Sequence, residues 1–125
     1  MLSRLFPRRS APALATDFVR VCAYGEVAEG EIRPVPGLQA LLCRVDETLY
    51  AVESVCPHAG ALLERGRLVE GCLECPLHGA RFALDCGAAR RGPARRGLAT
   101  HQVVVEDGQV YVAIRPRLRR GWWSR

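Results

Sequence analysis

The 125-residue chain has no lysine; all 18 of its basic residues are Arg. It has no acidic residue before Asp17 or after Asp107. No apolar run approaches the ~20 residues that a membrane-spanning helix needs, so no span is expected. No long stretch places apolar residues at helical spacing, and no repeat of roughly 20 residues or more occurs, which argues against bundles and solenoids. A secretory leader is not expected either. Arg8-Arg9-Ser10 faintly resembles a twin-arginine signal, but the apolar run behind it is short and broken by Pro12. The expected setting is therefore cytoplasmic and reducing. There, Cys beside His points to metal before it points to disulfides.

What is present reads as one ordinary globular domain, 49% hydrophobic and 25% charged. The net charge of +5 is unevenly spread. Between residues 17 and 114, 10 Arg face 13 acids, a charge of −3. Three further Arg lie in residues 1–16 and five in residues 115–125. This describes a mildly acidic domain, 17–114, between a basic N-terminal tail, 1–16, and a basic C-terminal tail, 115–125. A nucleic-acid surface would gather its Arg on the folded body, so nucleic acid is not an expected partner. The C-terminal Arg119-Arg120-Gly121-Trp122-Trp123 mixes Arg with aromatics and reads as a frayed terminus.

The chain punctuates itself into short strands, so the expected fold class is all-β. Strands are predicted over 18–22, 31–35, 38–44, 48–54, 102–106 and 109–114 from their β-formers. Turns at Pro36-Gly37, Asp46-Glu47 and Asp107-Gly108 separate several of them, the last a strong hairpin signal. Between the two β regions lies a Gly-rich insert, about 55–98, with short strands predicted over 67–69, 71–74 and 81–84. Long apolar runs are few there, and the insert is expected to be loop-rich and built around something other than a hydrophobic core.

The insert holds four of the six Cys and two of the three His. Cys56-Pro57-His58 and Cys75-Pro76-Leu77-His78-Gly79 each place a thiol and an imidazole in a Pro/Gly turn. Two such loops can converge on one site. A binuclear iron–sulfur centre with two Cys on one iron and two His on the other needs this donor set. The competing reading is a structural zinc site made from Cys72, Cys75, His78 and one of Cys56 or His58. Zinc modules usually pair Cys with Cys and His with His, whereas each loop here is mixed. Cys22 and Cys43 fall in predicted strands and read as small buried hydrophobes, and Cys72 and Cys86 are open to the same reading. His101 reads as a surface or capping residue, and the Arg90-Arg91 and Arg95-Arg96 pairs as a solvated loop.

The C-x-H…C-x-x-H pattern resembles the Rieske iron–sulfur family. The resemblance runs from about Phe18 to Ile114. It includes Tyr50-Ala51-Val52, His78-Gly79-Ala80-Arg81-Phe82, Gly92-Pro93-Ala94 and the closing hairpin around Asp107-Gly108. It implies an antiparallel β-sandwich or barrel carrying a small cluster-binding subdomain, and one Rieske-type [2Fe–2S] cluster. Cys56 and Cys75 would hold the buried iron, and His58 and His78 the outer iron. The imidazole edge would be where a partner docks.

The same resemblance predicts a low potential. Respiratory members of the family carry an extra disulfide between the ligand loops, and Ser and Tyr hydroxyls that bond cluster sulfur and a Cys ligand. The matching positions here are Ala61, Leu77, Ala80 and Phe82. A low-potential ferredoxin follows, an electron carrier and not an enzyme. It would take electrons from a flavin-dependent reductase, pass them to an oxygenase or reductase, and be monomeric when free. The chain has no room for a mononuclear iron domain with its two His and one carboxylate, and His101 is the only His left over. The alternative is the small subunit of an NAD(P)H nitrite reductase, which shares the fold.

Overall fold

The computed structural model describes residues 17–57, 60–92 and 96–117. Within these residues the chain forms eleven strands, in the order β1 (Phe18–Ala23), β2 (Ile32–Pro34), β3 (Ala40–Val45), β4 (Thr48–Glu53), β5 (Arg67–Val69), β6 (Cys72–Glu74), β7 (Arg81–Ala83), β8 (Ala89–Arg91), β9 (Thr100–His101), β10 (Val103–Glu106) and β11 (Gln109–Ala113). Single 3-10 turns occupy Tyr24–Glu26 and Leu63–Arg65. No helix among these residues is long and apolar enough to cross a membrane. The predicted hairpins are present. Asp46, Glu47, Asp107 and Gly108 all take positive φ, as a two-residue turn matched to strand twist requires. Gly37, φ 83°, closes the turn at Pro36, where the Leu38 N–H donates to the Val35 carbonyl.

Three antiparallel sheets are formed, in the orders β1-β11-β10, β2-β3-β4-β9 and β5-β6-β7-β8. The middle sheet is covered on both faces. Ala40, Leu42 and Ala51 pack with Cys22, Val110 and Val112 of the first sheet. Leu41, Cys43 and Val52 face the other way, against Leu63, Leu73, Phe82, Leu84 and Leu98. Neighbouring residues of a strand point to opposite faces, so a strand covered on both sides must be apolar at every position. Ala40-Leu41-Leu42-Cys43 meets that demand, with all four side chains buried. Cys22 and Cys43 are buried apolar members of the two clusters, as expected from sequence.

Three expectations are corrected. The insert does contain an apolar core, because its singly spaced Leu and Phe side chains seat on the underside of β3 and β4. His101 is buried, not a surface or capping residue. It stands in β9 with its Nδ1–H donated to the Ala113 carbonyl at 2.8 Å. Arg90 and Arg91 lie on β8 at a sheet edge instead of in a loop.

Candidate metal centre

Cys56 and Cys75 each open a tight hairpin turn, and the described residues of the two turns share one backbone frame. In the first, antiparallel Val55 and Leu62 flank the loop; in the second, Glu74 and Arg81 do. The Cys56 N–H donates to the Ala61 carbonyl at 2.9 Å, and the Cys75 N–H to the Ala80 carbonyl at 2.7 Å. The Gly60 N–H returns to the Cys56 carbonyl at 2.8 Å, and the Gly79 N–H to the Cys75 carbonyl at 3.1 Å. Gly60 and Gly79 take φ of 70° and 77°, the left-handed conformation that lets the chain turn back. The sequence signal behind this frame is Cys-Pro-x-x-Gly-Ala, which occurs at 56–61 and at 75–80. Reading the Cys and His alone missed it.

The frame sorts the donors by depth. Cys56 and Cys75, at the first position of each loop, are 1% and 2% exposed and belong to one apolar cluster with Leu63, Leu73, Ala80 and Phe82. Pro76, Leu77 and His78, at the tip, are exposed. His58 lies outside the described residues, as do Pro93 and Ala94 of the third loop. The structure therefore brings the two thiols into one apolar cluster and leaves His78 at an exposed tip. Two buried soft donors beneath solvent-facing imidazole are chemically suited to a binuclear iron centre ligated unequally on its two sides. No disulfide joins any of the six Cys, all of which are described.

Cys72 is separated from this set by strand alternation. Leu73 and Cys75 face the core, whereas Cys72 and Glu74 point to the outer face of the sheet. There burial raises the Cys72 thiol pKa, with Arg90 and Arg81 opposing. On the same face Glu74 receives the Arg67 Nε at 2.6 Å, the Arg81 Nε at 3.0 Å and an Arg91 guanidinium nitrogen at 3.6 Å. Hydrogen bonds from Arg67 and Arg81 hold its carboxyl below the usual range.

A third copy of the turn joins β7 to β8. The Ala83 N–H donates to the Ala88 carbonyl at 2.9 Å, the Gly87 N–H returns to Ala83 at 2.7 Å, and Gly87 has φ 78°. Gly87 abuts the returning chain so closely that a Cβ would lie 2.0 Å from the Leu98 carbonyl oxygen, and one on Gly97 would lie 2.2 Å from the Gly87 oxygen. Gly87→Ala is expected to lower stability by about 3 kcal/mol or more, combining left-handed strain with displaced backbone. Gly60→Ala, whose Cβ would meet nothing within 4 Å, carries only the conformational strain of about 1–2 kcal/mol. Equilibrium denaturation of the two variants checks the difference; equal losses would contradict the close approach.

Comparison with known proteins places these loops in a family. The model of the Rieske [2Fe–2S] domain matches residues 17–102. The ferredoxin CarAc of Metapseudomonas resinovorans is 35% identical over 99 residues, covering 77% of this chain and 92% of the relative. A solved complex of reduced oxygenase and oxidized ferredoxin in carbazole 1,9a-dioxygenase contains a similar chain. That chain shows a TM-score of 0.75 and 33% identity over 82% of this chain and 97% of its own length. A nitrite reductase small subunit structure from Mycobacterium tuberculosis is also similar, with a TM-score of 0.70 and 28% identity over 77% of this chain and 93% of its own.

Proposed function

Because this chain belongs to the Rieske [2Fe–2S] domain family, we propose that it is the ferredoxin of a multicomponent oxygenase system, accepting single electrons from a flavin reductase and delivering them to a terminal oxygenase. It is an electron carrier and carries one Rieske-type [2Fe–2S] cluster. The ligands in this reading are Cys56 and Cys75 on the inner side and His58 and His78 on the outer side. Residues 17–114 form the cluster domain, with the insert at about 55–98 and tails at 1–16 and 115–125. The protein works in the cytoplasm, as a monomer when free.

The observation that carries this reading is the repeated frame, with buried Cys56 and Cys75 below and His78 exposed above. When bound, the cluster supplies a one-electron couple whose potential is set by its ligands and their surroundings. The chain's own residues do the rest. Paired backbone hydrogen bonds tie the ends of each loop together. Leu63, Leu73 and Phe82 keep water from the Cys side. The exposed His78 tip offers a partner the short approach that electron transfer requires.

The small-subunit reading draws support from the nitrite reductase structure of similar fold. The two Cys/His pairs, and the ferredoxin relative with its greater identity, favour the diffusible carrier. The test is direct. Purified protein incubated with NADH and a flavin reductase should bleach and develop the EPR signal of a reduced Rieske centre. It should then support turnover by a ring-hydroxylating oxygenase at far less than one ferredoxin per oxygenase. A colourless preparation holding stoichiometric zinc and silent on dithionite reduction would overturn the assignment. Tight co-purification with a sirohaem protein would favour the subunit.

A further inference from the structure

The charge of the folded body is split between its two parts. Residues 55–98 hold seven Arg and four acids, a charge of +3, whereas the rest of 17–114 holds three Arg and nine acids, a charge of −6. The positive share is concentrated beside the second ligand loop. Arg65, Arg67 and Arg91 line a surface hollow of about 400 Å³ whose floor includes Cys75, Pro76 and Gly79. The one carboxylate in it, Glu74, is shared among Arg67, Arg81 and Arg91, so guanidinium is in surplus there. Apolar surface occurs in the same region. Leu77, on the second loop, is 54% exposed, and Leu62, at the end of the first, is 49% exposed. They are two of only four large hydrophobics exposed among the described residues.

We propose that this face, with Leu62 and Leu77 flanked by Arg65, Arg67 and Arg91, docks an acidic, carboxylate-rimmed face of the oxygenase that accepts its electrons. The inference rests on the carrier reading above and adds the chemistry of the partner. At physiological salt, charges more than about 8 Å apart are largely screened, so the local Arg group outweighs the net negative charge of the sandwich. Fixed guanidinium groups match carboxylates in forked geometry, and complementary charge raises the encounter rate more than it lengthens the complex. The exposed leucines supply a small apolar centre, suited to a partner that must leave after each electron.

The test uses reduced holoprotein in a stopped-flow instrument with two inorganic oxidants, the ferricyanide trianion and the hexaamminecobalt(III) trication. The ferricyanide rate should fall on the order of tenfold as salt rises from low to physiological, and the cobalt rate should rise. Poly-L-glutamate should compete with ferricyanide. Arg65→Glu/Arg91→Glu should reverse the sign of the salt dependence and abolish the competition. Arg20→Glu, on β1, should leave both unchanged. All variants must keep the absorbance and midpoint potential of the wild type, which separates docking from cluster loss. A salt dependence of cationic sign in the wild type would overturn the proposal. So would poly-L-glutamate competition that survives the double variant, which would shift the binding to the C-terminal Arg residues. A preparation with no iron–sulfur spectrum would instead overturn the carrier reading beneath it.

Discussion

Cys56→Ser and Cys75→Ser will each yield a colourless protein with less than about one-tenth of the wild-type cluster iron, since a hydroxyl is a poor substitute for a soft thiolate. Cys72→Ser and Cys86→Ser will stay coloured. The contrast follows from position. Cys56 and Cys75 begin the two equivalent loops and sit in one apolar cluster, whereas Cys72 shares the outer face of β6 with Glu74. Each Ser at a buried position leaves a hydroxyl among apolar neighbours, a loss of about 1–3 kcal/mol. The variants should therefore be checked by circular dichroism for retained β structure before iron and sulfide are assayed. A colourless Cys72→Ser protein, with zinc lost alongside, would put the zinc reading first.

The midpoint potential of the wild-type protein is expected near the low end of the Rieske range, about −150 mV, against about +300 mV at the upper end. Ala80 and Phe82 occupy the stations where respiratory relatives place hydroxyl donors, and both are fully buried beside Cys75. The Ala80 carbonyl moreover accepts the Cys75 N–H, so Ala80 lies beside the proposed Cys ligand. A donor there would stabilise the more negative reduced state. Ala80→Ser should raise the potential by on the order of 50 mV, since a hydrogen bond to a charged group is worth about 1.5–3 kcal/mol at most and only its difference between redox states counts. Leu77 and Ala61 provide no thiols, so no loop-bridging disulfide adds to the shift. An EPR-monitored redox titration measures both proteins. A clearly positive wild-type midpoint, or an Ala80→Ser value below it, would count against this account.

Much of the fold was legible because its turns are chemically explicit. Asp46-Glu47, Asp107-Gly108 and Pro36-Gly37 each mark a hairpin, and β5 falls where the apolar pair Leu68-Val69 sits between charged and Gly residues. Two strands were not legible. β9 has only Thr100 and His101, and its existence depends on β4 lying beside it. β8 is Ala-Arg-Arg, a sequence with no strand preference, held by β7 alone. The insert's core was missed for a related reason. Leu63, Leu73, Phe82 and Leu98 are far apart in sequence and become a cluster only when β3 and β4 lie under them. The Cys/His pattern at Cys56, Cys75 and His78 was legible as spacing, whereas its division into buried and exposed positions was not. That division comes from the Gly60 and Gly79 turns, which a list of metal-binding residue types passes over.

The place where the insert joins the sandwich has a consequence for how such a protein is assembled. β4 and β9 are adjacent antiparallel strands, with Ala51 opposite His101 and Val52 opposite Thr100. Just beyond them the Glu53 N–H donates to the Ala99 carbonyl at 2.9 Å, and the Glu53 side chain accepts the Ala99 N–H at 3.0 Å. Residues 54–98 thus leave and return through one point, as an enlarged loop on an otherwise simple hairpin. A segment tethered in that way can be cut out as a cassette and grafted between any two neighbouring antiparallel strands that offer it an apolar bed. Recombination needs only two nearby joints to move it, and a protein engineer could exchange it between scaffolds on the same terms.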